Sequence, residues 1–246
     1  MGATVMLKHV DQEELEIHAF LNSVKSELNH TIPILDEIAL DVGVVIVMPE
    51  ERVLRFVDDS VFKTRGNDLA LQLLEGVQFI HRHLVAHLDL KPDNVLVAGP
   101  MNRPQLHITD FGVSVWVSKP ESWIKGYRGT EGWVAPELKD DPDGSYQPLR
   151  ADLWSLGKLL KYIASDDNGV TPYPIRDLAD KLMSHNPQQR PLLNSAIILT
   201  YYGRQKSEMK RKPVDEQENE GIKRRRLQPG FPLVTQSSAA PALLCR

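Results

Sequence analysis

The sequence contains very little cysteine: Cys245, near the C-terminus, is the only one. A single cysteine cannot form a disulfide within the chain, and it excludes a metal cluster built from cysteines. No apolar run approaches the roughly 20 residues of a membrane-spanning helix. The N-terminus lacks the charged start, apolar core and small-residue cleavage site of a secretory signal. We therefore expect an intracellular protein that has no membrane partner.

The charge is unevenly distributed along the 246 residues, whose net charge is −4. Residues 203–246 hold ten Lys/Arg and five Asp/Glu, which leaves −9 on the rest of the chain. An acidic body argues against nucleic-acid binding by the folded part. From residue 203 the sequence turns to charge, Pro, Ser and Ala without periodicity, which predicts a disordered tail.

Two basic clusters lie in this tail, at residues 210–213 and 223–226. They resemble a bipartite nuclear import signal, and the alternative is a basic tail that only adds solubility. We therefore expect the protein in the cytoplasm, in the nucleus or in both. In the nuclear case an import receptor is the expected partner of the tail.

Hydrophobic periodicity predicts strands and one helix in the first part of the chain and mostly helices after residue 150. This order indicates an α+β fold with two lobes. The predicted strands are residues 3–8, 32–39, 44–48, 95–97 and 106–108, and the predicted helices are residues 13–28, 68–84, 153–163, 175–183 and 192–199.

Residues 87–94, His-Leu-Asp-Leu-Lys-Pro-Asp-Asn, carry the first chemical signal. Pro92 cannot continue a helix, so these residues form an irregular loop. Side chains two positions apart in an extended stretch point the same way. Asp89 can then accept a hydroxyl proton while Lys91 faces the charge of a moving phosphate. Asn94 offers a neutral oxygen to Mg²⁺, a hard cation.

A second acid follows sixteen positions after Asn94, in Asp110-Phe111-Gly112. Asp110 stands at the end of the second of two short predicted strands. A hairpin that joins these strands brings Asp110 near Asn94. The sequence therefore predicts two oxygen ligands, Asn94 and Asp110, at one Mg²⁺ site.

These two stretches resemble the catalytic and metal-binding loops of eukaryotic protein kinases. Three further segments resemble kinase segments in the right order. Residues 129–137 are similar to the peptide-positioning loop, and residues 151–157 to the start of the buried central helix. Residues 186–191 are similar to the segment whose arginine pairs with the glutamate of that loop.

The resemblance covers residues 4–200 and is closer to the serine/threonine branch than to the tyrosine branch. It implies a bilobal kinase domain over residues 1–202, with a small lobe over about 1–50 and a large lobe over about 51–202. It also implies an ion pair between Glu137 and Arg190. The cofactors that it implies are ATP and Mg²⁺, and the substrate is a serine or threonine of a protein.

For the small lobe, the resemblance implies that Lys8 holds the α- and β-phosphates of ATP. Glu16 resembles the glutamate that pairs with this lysine. Glu16 follows Lys8 by eight positions, a shorter spacing than is usual in the family, so Glu13 and Glu14 remain alternatives. Met48 and Glu51 resemble part of the hinge that offers backbone groups to adenine.

The same comparison implies that His87 and Asp152 support the catalytic loop. His81 and His83 are predicted to be exposed helix residues, and metal binding by them is disfavoured. Leu88 stands where the family usually has an arginine that grips a phosphate on the activation loop. Activation by that route is therefore not expected.

Only seven residues precede Lys8, so the glycine-rich loop that normally covers the phosphates is expected to be missing. The first hypothesis is a serine/threonine protein kinase, with weak, magnesium-dependent ATP binding and slow catalysis in this chain. The second is a pseudokinase that acts as a binding or scaffold module. The third is a truncated form of a longer kinase.

Overall fold

The computed structural model describes residues 4–164 and 173–194. These residues fall in one structural unit, Met1–Met209. The tail predicted from residue 203, the predicted boundary at residue 202 and most of the helix predicted over 192–199 lie outside the described residues. None of the described helices has the length and apolar composition that crossing a membrane requires.

The small lobe is a three-stranded antiparallel sheet with one helix against it. Its strands are β1 (Val5–Val10), β2 (Asp36–Ala39) and β3 (Val44–Pro49), in the order β1-β3-β2. Lys8 lies opposite Ile46 in the register, and paired residues share one face of a sheet. That face buries Ile46 and Val10 toward the helix α1 (Gln12–Ser23), so Lys8 points to the interior of the lobe.

Helix α1 begins and ends at side-chain caps. Asp11 accepts a hydrogen bond from the backbone N–H of Glu14 at 2.8 Å, which caps the first turn. At the other end, the side-chain amide of Asn29 donates to the carbonyl oxygens of Leu21 and Val24 at 2.8 and 3.1 Å. These bonds satisfy the last carbonyls, so the helix ends at Ser23 rather than at the predicted residue 28.

The large lobe contains the remaining helices. The longest, α2, begins earlier than the predicted residue 68, because Asp58 caps it through the backbone N–H of Ser60 at 2.8 Å. The buried Gly66 lies against the end of the helix that spans Pro148–Ile163, where a Cβ atom would make an ordinary contact of 3.5 Å with the carbonyl oxygen of Ile163. The helices are α2 (Asp59–Arg82), α3 (Pro136–Asp140), α4 (Pro148–Ile163) and α5 (Tyr173–Leu182).

Helix α4 is buried nearly all round, as its sequence predicts. Of residues 151–163, only Lys161 is exposed, while Leu153, Leu156 and Leu160 have no accessible surface. Burying such side chains contributes about 1.5–3 kcal/mol each to stability. The helix therefore forms the centre of the large-lobe core, against α2 and α5.

Short strands and 3-10 helices connect these helices. The hairpin predicted between residues 95 and 108 is confirmed, with Val95 opposite Ile108. It places Asn94 and Asp110 at the same end of two neighbouring strands. The strands are β4 (Arg52–Val53), β5 (Val85–Ala86), β6 (Val95–Ala98), β7 (Gln105–Ile108), β8 (Val115–Trp116), β9 (Ile124–Lys125) and β10 (Ser145–Tyr146); the 3-10 helices are Leu54–Phe56, Pro92–Asn94 and Pro187–Gln189.

These small antiparallel sheets and the helical large lobe confirm the predicted α+β, bilobal architecture. After residue 191 the described chain has no regular structure up to residue 194, so the helix predicted from residue 192 does not begin there.

Candidate active site

The carboxylate of Asp89 is held by three side chains. It accepts hydrogen bonds from Lys91 Nζ at 2.6 Å, Thr130 Oγ1 at 2.7 Å and Asn94 Nδ2 at 3.0 Å. Lys91 also donates to Thr130 Oγ1 at 2.7 Å. The prediction that Asp89 and Lys91 face the same side of the loop is confirmed. The three contacts fix the carboxylate next to a positive charge and beside residues 129–137.

A buried acid braces the backbone of the catalytic loop. Asp152 on α4 has no accessible surface and accepts hydrogen bonds from the backbone N–H groups of His87 and Leu88, both at 2.7 Å. Leu88 has φ +65°, a left-handed conformation that is uncommon for leucine. The buried carboxylate holds the loop in this strained conformation, as predicted for Asp152.

The prediction that His81 and His83 are exposed is wrong. The His81 side chain is 10% exposed, and its Nε2 lies 3.0 Å from Asp152 Oδ2. His83 is half-buried, and its Nδ1–H donates to the carbonyl oxygen of Phe79 at 2.8 Å. His81 continues the four-residue spacing of the buried stripe after Val77, so the periodicity contained this signal.

His87 connects the catalytic loop to the second acidic stretch. Its Nε2–H donates to the carbonyl oxygen of Thr109 at 3.0 Å, and its Nδ1 accepts from the backbone N–H of Asp89 at 3.3 Å. The imidazole ring also packs on Phe111, with ring centroids 5.1 Å apart. This supporting role agrees with the expectation for His87.

Asn94 and Asp110 offer oxygen atoms of the kind that Mg²⁺ prefers. The side-chain amide of Asn94 donates to the backbone carbonyl of Asp89 at 2.9 Å, which leaves its carbonyl oxygen Oδ1 for a metal ion. The backbone carbonyl oxygen of Asn94 accepts a hydrogen bond from the backbone N–H of Thr109 at 3.0 Å. Asp110 is the next residue along the chain after Thr109.

No group of three or more His, Cys, Asp or Glu suited to a metal ion occurs within residues 4–164 and 173–194. Asn94 and Asp110 would each offer one oxygen to such an ion. A Mg²⁺ ion usually keeps several waters and phosphate oxygens besides one or two protein ligands. The residues present fit Mg²⁺.

The ammonium group of Lys8 contacts two carboxylates, those of Glu14 and Asp110. The Lys8 Nζ–Asp110 Oδ1 distance is 2.7 Å, and Glu14 Oε1 also accepts from Nζ. The prediction that Glu16 pairs with Lys8 is wrong. Two positions along an α-helix correspond to a rotation of about 200° around its axis, so Glu16 points away from the face that carries Glu14. It is exposed and accepts from the side chain of Gln12 at 2.9 Å.

The charges in this cluster stabilise one another. Burial disfavours the charged forms of both Lys8 and Asp110. The hydrogen bonds and charges of Asp110 and Glu14 outweigh that effect and raise the pKa of Lys8 above its ordinary 10.5. Lys8 likewise lowers the pKa of Asp110 below its ordinary 3.8. Both groups are therefore charged at neutral pH.

Sequence reasoning missed His18, which lies on α1 beside this cluster. It is 1% exposed, its Nε2–H donates to the carbonyl oxygen of Ile32 at 2.8 Å, and its ring packs 5.0 Å from that of Phe111. Burial, assisted by the charge of Lys8, lowers the pKa of His18 to about 4, and the Ile32 bond only partly opposes this. His18 is therefore neutral at pH 7.

The predicted hinge residues differ in their surroundings. The Met48 side chain is buried in the small-lobe core with Val10 and Ile46. The carboxylate of Glu51 lies 2.7 Å from His107 Nδ1, which joins the end of the hinge to β7. The adenine-binding role of Met48 and Glu51 stays a prediction.

The ion pair between Glu137 and Arg190 is confirmed. Two parallel bonds of 2.7 Å join the guanidinium of Arg190, which has no accessible surface, to the carboxylate of Glu137. Arg190 also donates to the carbonyl oxygens of Ser184 and Arg150, both at 2.9 Å. The pair fastens the loop that carries Thr130 to the end of the described chain.

The family model described as "Protein kinase domain" matches residues 43–174, a little more than half of the chain. This range includes the catalytic loop, the hairpin and Asp110. Lys8 and Glu14 lie before its first residue.

Curated relatives of this chain are kinases. It is 36% identical over 135 residues to serine/threonine-protein kinase 17A of Oryctolagus cuniculus, covering 54% of the chain and 30% of that protein. It is 29% identical to calcium/calmodulin-dependent protein kinase type II of Caenorhabditis briggsae, covering 51% and 28%. It is 27% identical to CBL-interacting protein kinase 8 of Oryza sativa subsp. japonica, covering 72% and 41%. The chain thus spans less than half the length of each relative.

Proposed function

The chain belongs to the protein kinase family, and on that basis we propose that it transfers the γ-phosphate of ATP to serine or threonine hydroxyls of proteins. The observation that carries this proposal is the environment of Asp89. Its carboxylate lies 2.6 Å from Lys91 Nζ and 2.7 Å from Thr130 Oγ1, next to the loop that resembles a peptide-positioning segment. The serine/threonine relatives support the choice of acceptor.

In the proposed reaction, Asp89 accepts the proton of the substrate hydroxyl. The hydroxyl oxygen forms a bond to the γ-phosphorus while the bond to the leaving ADP oxygen breaks. Lys91 neutralises charge on the phosphate as it moves. Such catalysis depends mainly on positioning and electrostatics, which is why a carboxylate fixed by three side chains suits it.

The remaining residues hold the nucleotide and its metal in this proposal. Asn94 and Asp110 bind Mg²⁺, which when present neutralises phosphate charge. Lys8, oriented by Glu14, holds the α- and β-phosphates. Residues 48–51 take the adenine.

A phosphorylation assay with radiolabelled ATP, Mg²⁺ and a generic basic protein tests the proposal. We expect Asp89→Asn to lower the rate by about 10²–10⁴-fold, the range for loss of a general base. Asp110→Asn should also lower it and weaken its magnesium dependence. Asp68→Asn on α2 is the control, because Asp68 forms only an exposed pair with Arg65. Phosphate on tyrosine alone would contradict the proposed specificity.

The same protein preparation tests the alternative, a domain that binds nucleotide without phosphoryl transfer. Its signature is a rise in melting temperature with Mg-ATP together with an absence of transfer, because a ligand of the folded state raises stability as RT ln(1 + [L]/Kd). A rise that persists in Asp110→Asn without metal would overturn the proposed Mg²⁺ site.

For the tail, we propose nuclear import through the basic clusters at residues 210–213 and 223–226, which lie outside the described residues. The test follows a fluorescently tagged chain in cells. Replacing residues 223–226 with alanines should shift the protein toward the cytoplasm. An unchanged distribution would exclude the import role, and replacing the four acidic residues within 215–220 with alanines serves as the control.

A further inference from the structure

Helix α1 makes an aromatic contact with the large lobe at the end opposite Glu14. Phe20 on α1 packs against Trp116 on β8, with ring centroids 4.9 Å apart and an edge-to-face angle of 66°. Phe20 also lies edge-on to His83, just after α2, at 5.8 Å. Phe20 is 39% exposed and Trp116 41% exposed, so these rings lie at the rim of the core.

The segment from Asp110 to Trp116 therefore contacts α1 at two places. Phe111 packs on His18, and Trp116 packs on Phe20. A third contact, through Glu14 and Lys8, lies six residues before Phe20, about 9 Å along the helix axis at 1.5 Å per residue. Contacts at both ends of a helix fix its tilt as well as its position.

Trp116 is itself anchored in the large lobe. It pairs with Val85 of β5, and the next backbone N–H, that of Val117, donates to the carbonyl oxygen of Leu84 at 2.8 Å. Residues 84–86 lead directly into the catalytic loop. Through its contact with Phe20, the indole therefore links the position of α1 to that of the large lobe.

We propose that Trp116 is a positioning residue: by holding Phe20, it keeps α1 in the orientation in which Glu14 reaches Lys8. The predicted effect of Trp116 on activity rests on the proposed function, whereas its predicted effect on the position of α1 does not. Trp116 acts through the helix, since the contacts of Lys8 are with Glu14 and Asp110.

The first test measures hydrogen exchange of the α1 amides and kcat/KM for ATP in the full chain. In Trp116→Ala we expect α1 exchange to accelerate and kcat/KM to fall, each by about two- to tenfold, the size expected for one aromatic pair. Trp116→Phe should restore most of both. Trp123→Ala is the matched control, because Trp123 follows Trp116 by seven positions and is 60% exposed, and it should change neither.

A double variant separates positioning from general loosening. Where Glu14→Gln has already weakened the pair with Lys8, adding Trp116→Ala should change kcat/KM for ATP by less than about twofold, because coupled contacts are not additive. Equal effects of Trp116→Ala with and without Glu14→Gln would overturn the proposal. So would a fall in activity with α1 exchange unchanged.

The two proposals can fail separately. If the wild-type chain transfers no phosphate, the proposed function fails and α1 exchange alone decides the role of Trp116. Faster exchange in Trp116→Ala then supports it, and unchanged exchange overturns it. If Trp116→Ala has no cooperative melting transition, Phe20→Leu removes the same contact from the other side and carries the same expectations.

Discussion

The catalytic loop and helix α1 both direct charged groups to one site, but different interactions hold them. The loop, residues 87–94, is fastened by hydrogen bonds from its backbone to the fully buried Asp152 and by the β6–β7 hairpin that follows. Helix α1 is held through side chains: Ile17 and Leu21 are fully buried in the core, and the Lys8 pair and the ring contacts of His18 and Phe20 add to this.

This difference determines which part of the site can move. Leaving a buried hydrogen-bonding group unpaired costs about 1–3 kcal/mol. A partly exposed aromatic pair contributes only about 0.5–1.5 kcal/mol, and an exposed ion pair about 0–1 kcal/mol. We therefore expect the catalytic loop to open only when the large lobe unfolds, whereas the polar and aromatic contacts of α1 can rearrange at a smaller cost while Ile17 and Leu21 stay buried.

The largest expected effect on stability comes from removing the support of the catalytic loop. Asp152→Ala should lower the free energy of unfolding by about 3–5 kcal/mol, because it leaves the buried N–H groups of His87 and Leu88 without an acceptor. Asp152→Asn, which keeps one acceptor oxygen, should cost about 1–3 kcal/mol. Urea denaturation measures both. Asp140→Ala, at an exposed position, is the control, and a cost below about 1 kcal/mol for Asp152→Ala would show that the loop is not braced.

The next largest effect on stability should come from breaking the ion pair that anchors residues 129–137. Arg190→Met should cost about 3 kcal/mol, the lower end for a broken buried pair, because the Glu137 side chain is 20% exposed. Adding Glu137→Gln should recover part of this loss in the same denaturation experiment. If the double variant is less stable than Arg190→Met, the stranded carboxylate is not the cause.

On the α1 side, His18 should make stability depend on pH. Its folded pKa of about 4 is below the ordinary 6.5, so the unfolded chain binds the proton more readily and stability falls as pH falls below about 6.5. Between pH 7 and pH 5 this amounts to about 2 kcal/mol. Urea denaturation at pH 7 and pH 5 measures this. The free energy of unfolding should fall by about 2 kcal/mol more in wild type than in His18→Leu. Equal losses would place the His18 pKa near its ordinary value.

The smallest effect on stability should come from Lys8. Its raised pKa contributes stability that is lost only above pH 10.5, and the lowered pKa of Asp110 contributes stability that is lost only below pH 3.8. The pair is thus intact at pH 7, and Lys8→Met should cost about 1–2 kcal/mol, because it leaves the buried carboxylate of Glu14 unpaired while Lys8 and Asp110 are partly exposed. The rise in melting temperature with Mg-ATP should nevertheless disappear. Lys139→Met, at an exposed position on α3, is the control, and an undiminished rise in Lys8→Met would remove Lys8 from the proposed nucleotide site.

The same two regions differ in how far their sequence predicts them. In the loop, Asp89, Lys91 and Asn94 lie within six residues, so local chain geometry largely determines which side chains meet. In α1, the partner of Lys8 depends on where the helix starts. The Asp11 cap sets that start, and it turns Glu14 rather than Glu16 toward the lysine.

The sequence by itself determined the residues whose neighbours are close along the chain: the catalytic loop, the β6–β7 hairpin that brings Asp110 to it, and the buried faces of α2 and α4. Only the tertiary structure decided the contacts between elements, such as Glu14 with Lys8, His81 with Asp152 and Phe20 with Trp116. The physical reason is that periodicity specifies which face of a helix is apolar. The rotation and tilt of that helix against another element depend on packing across the whole core.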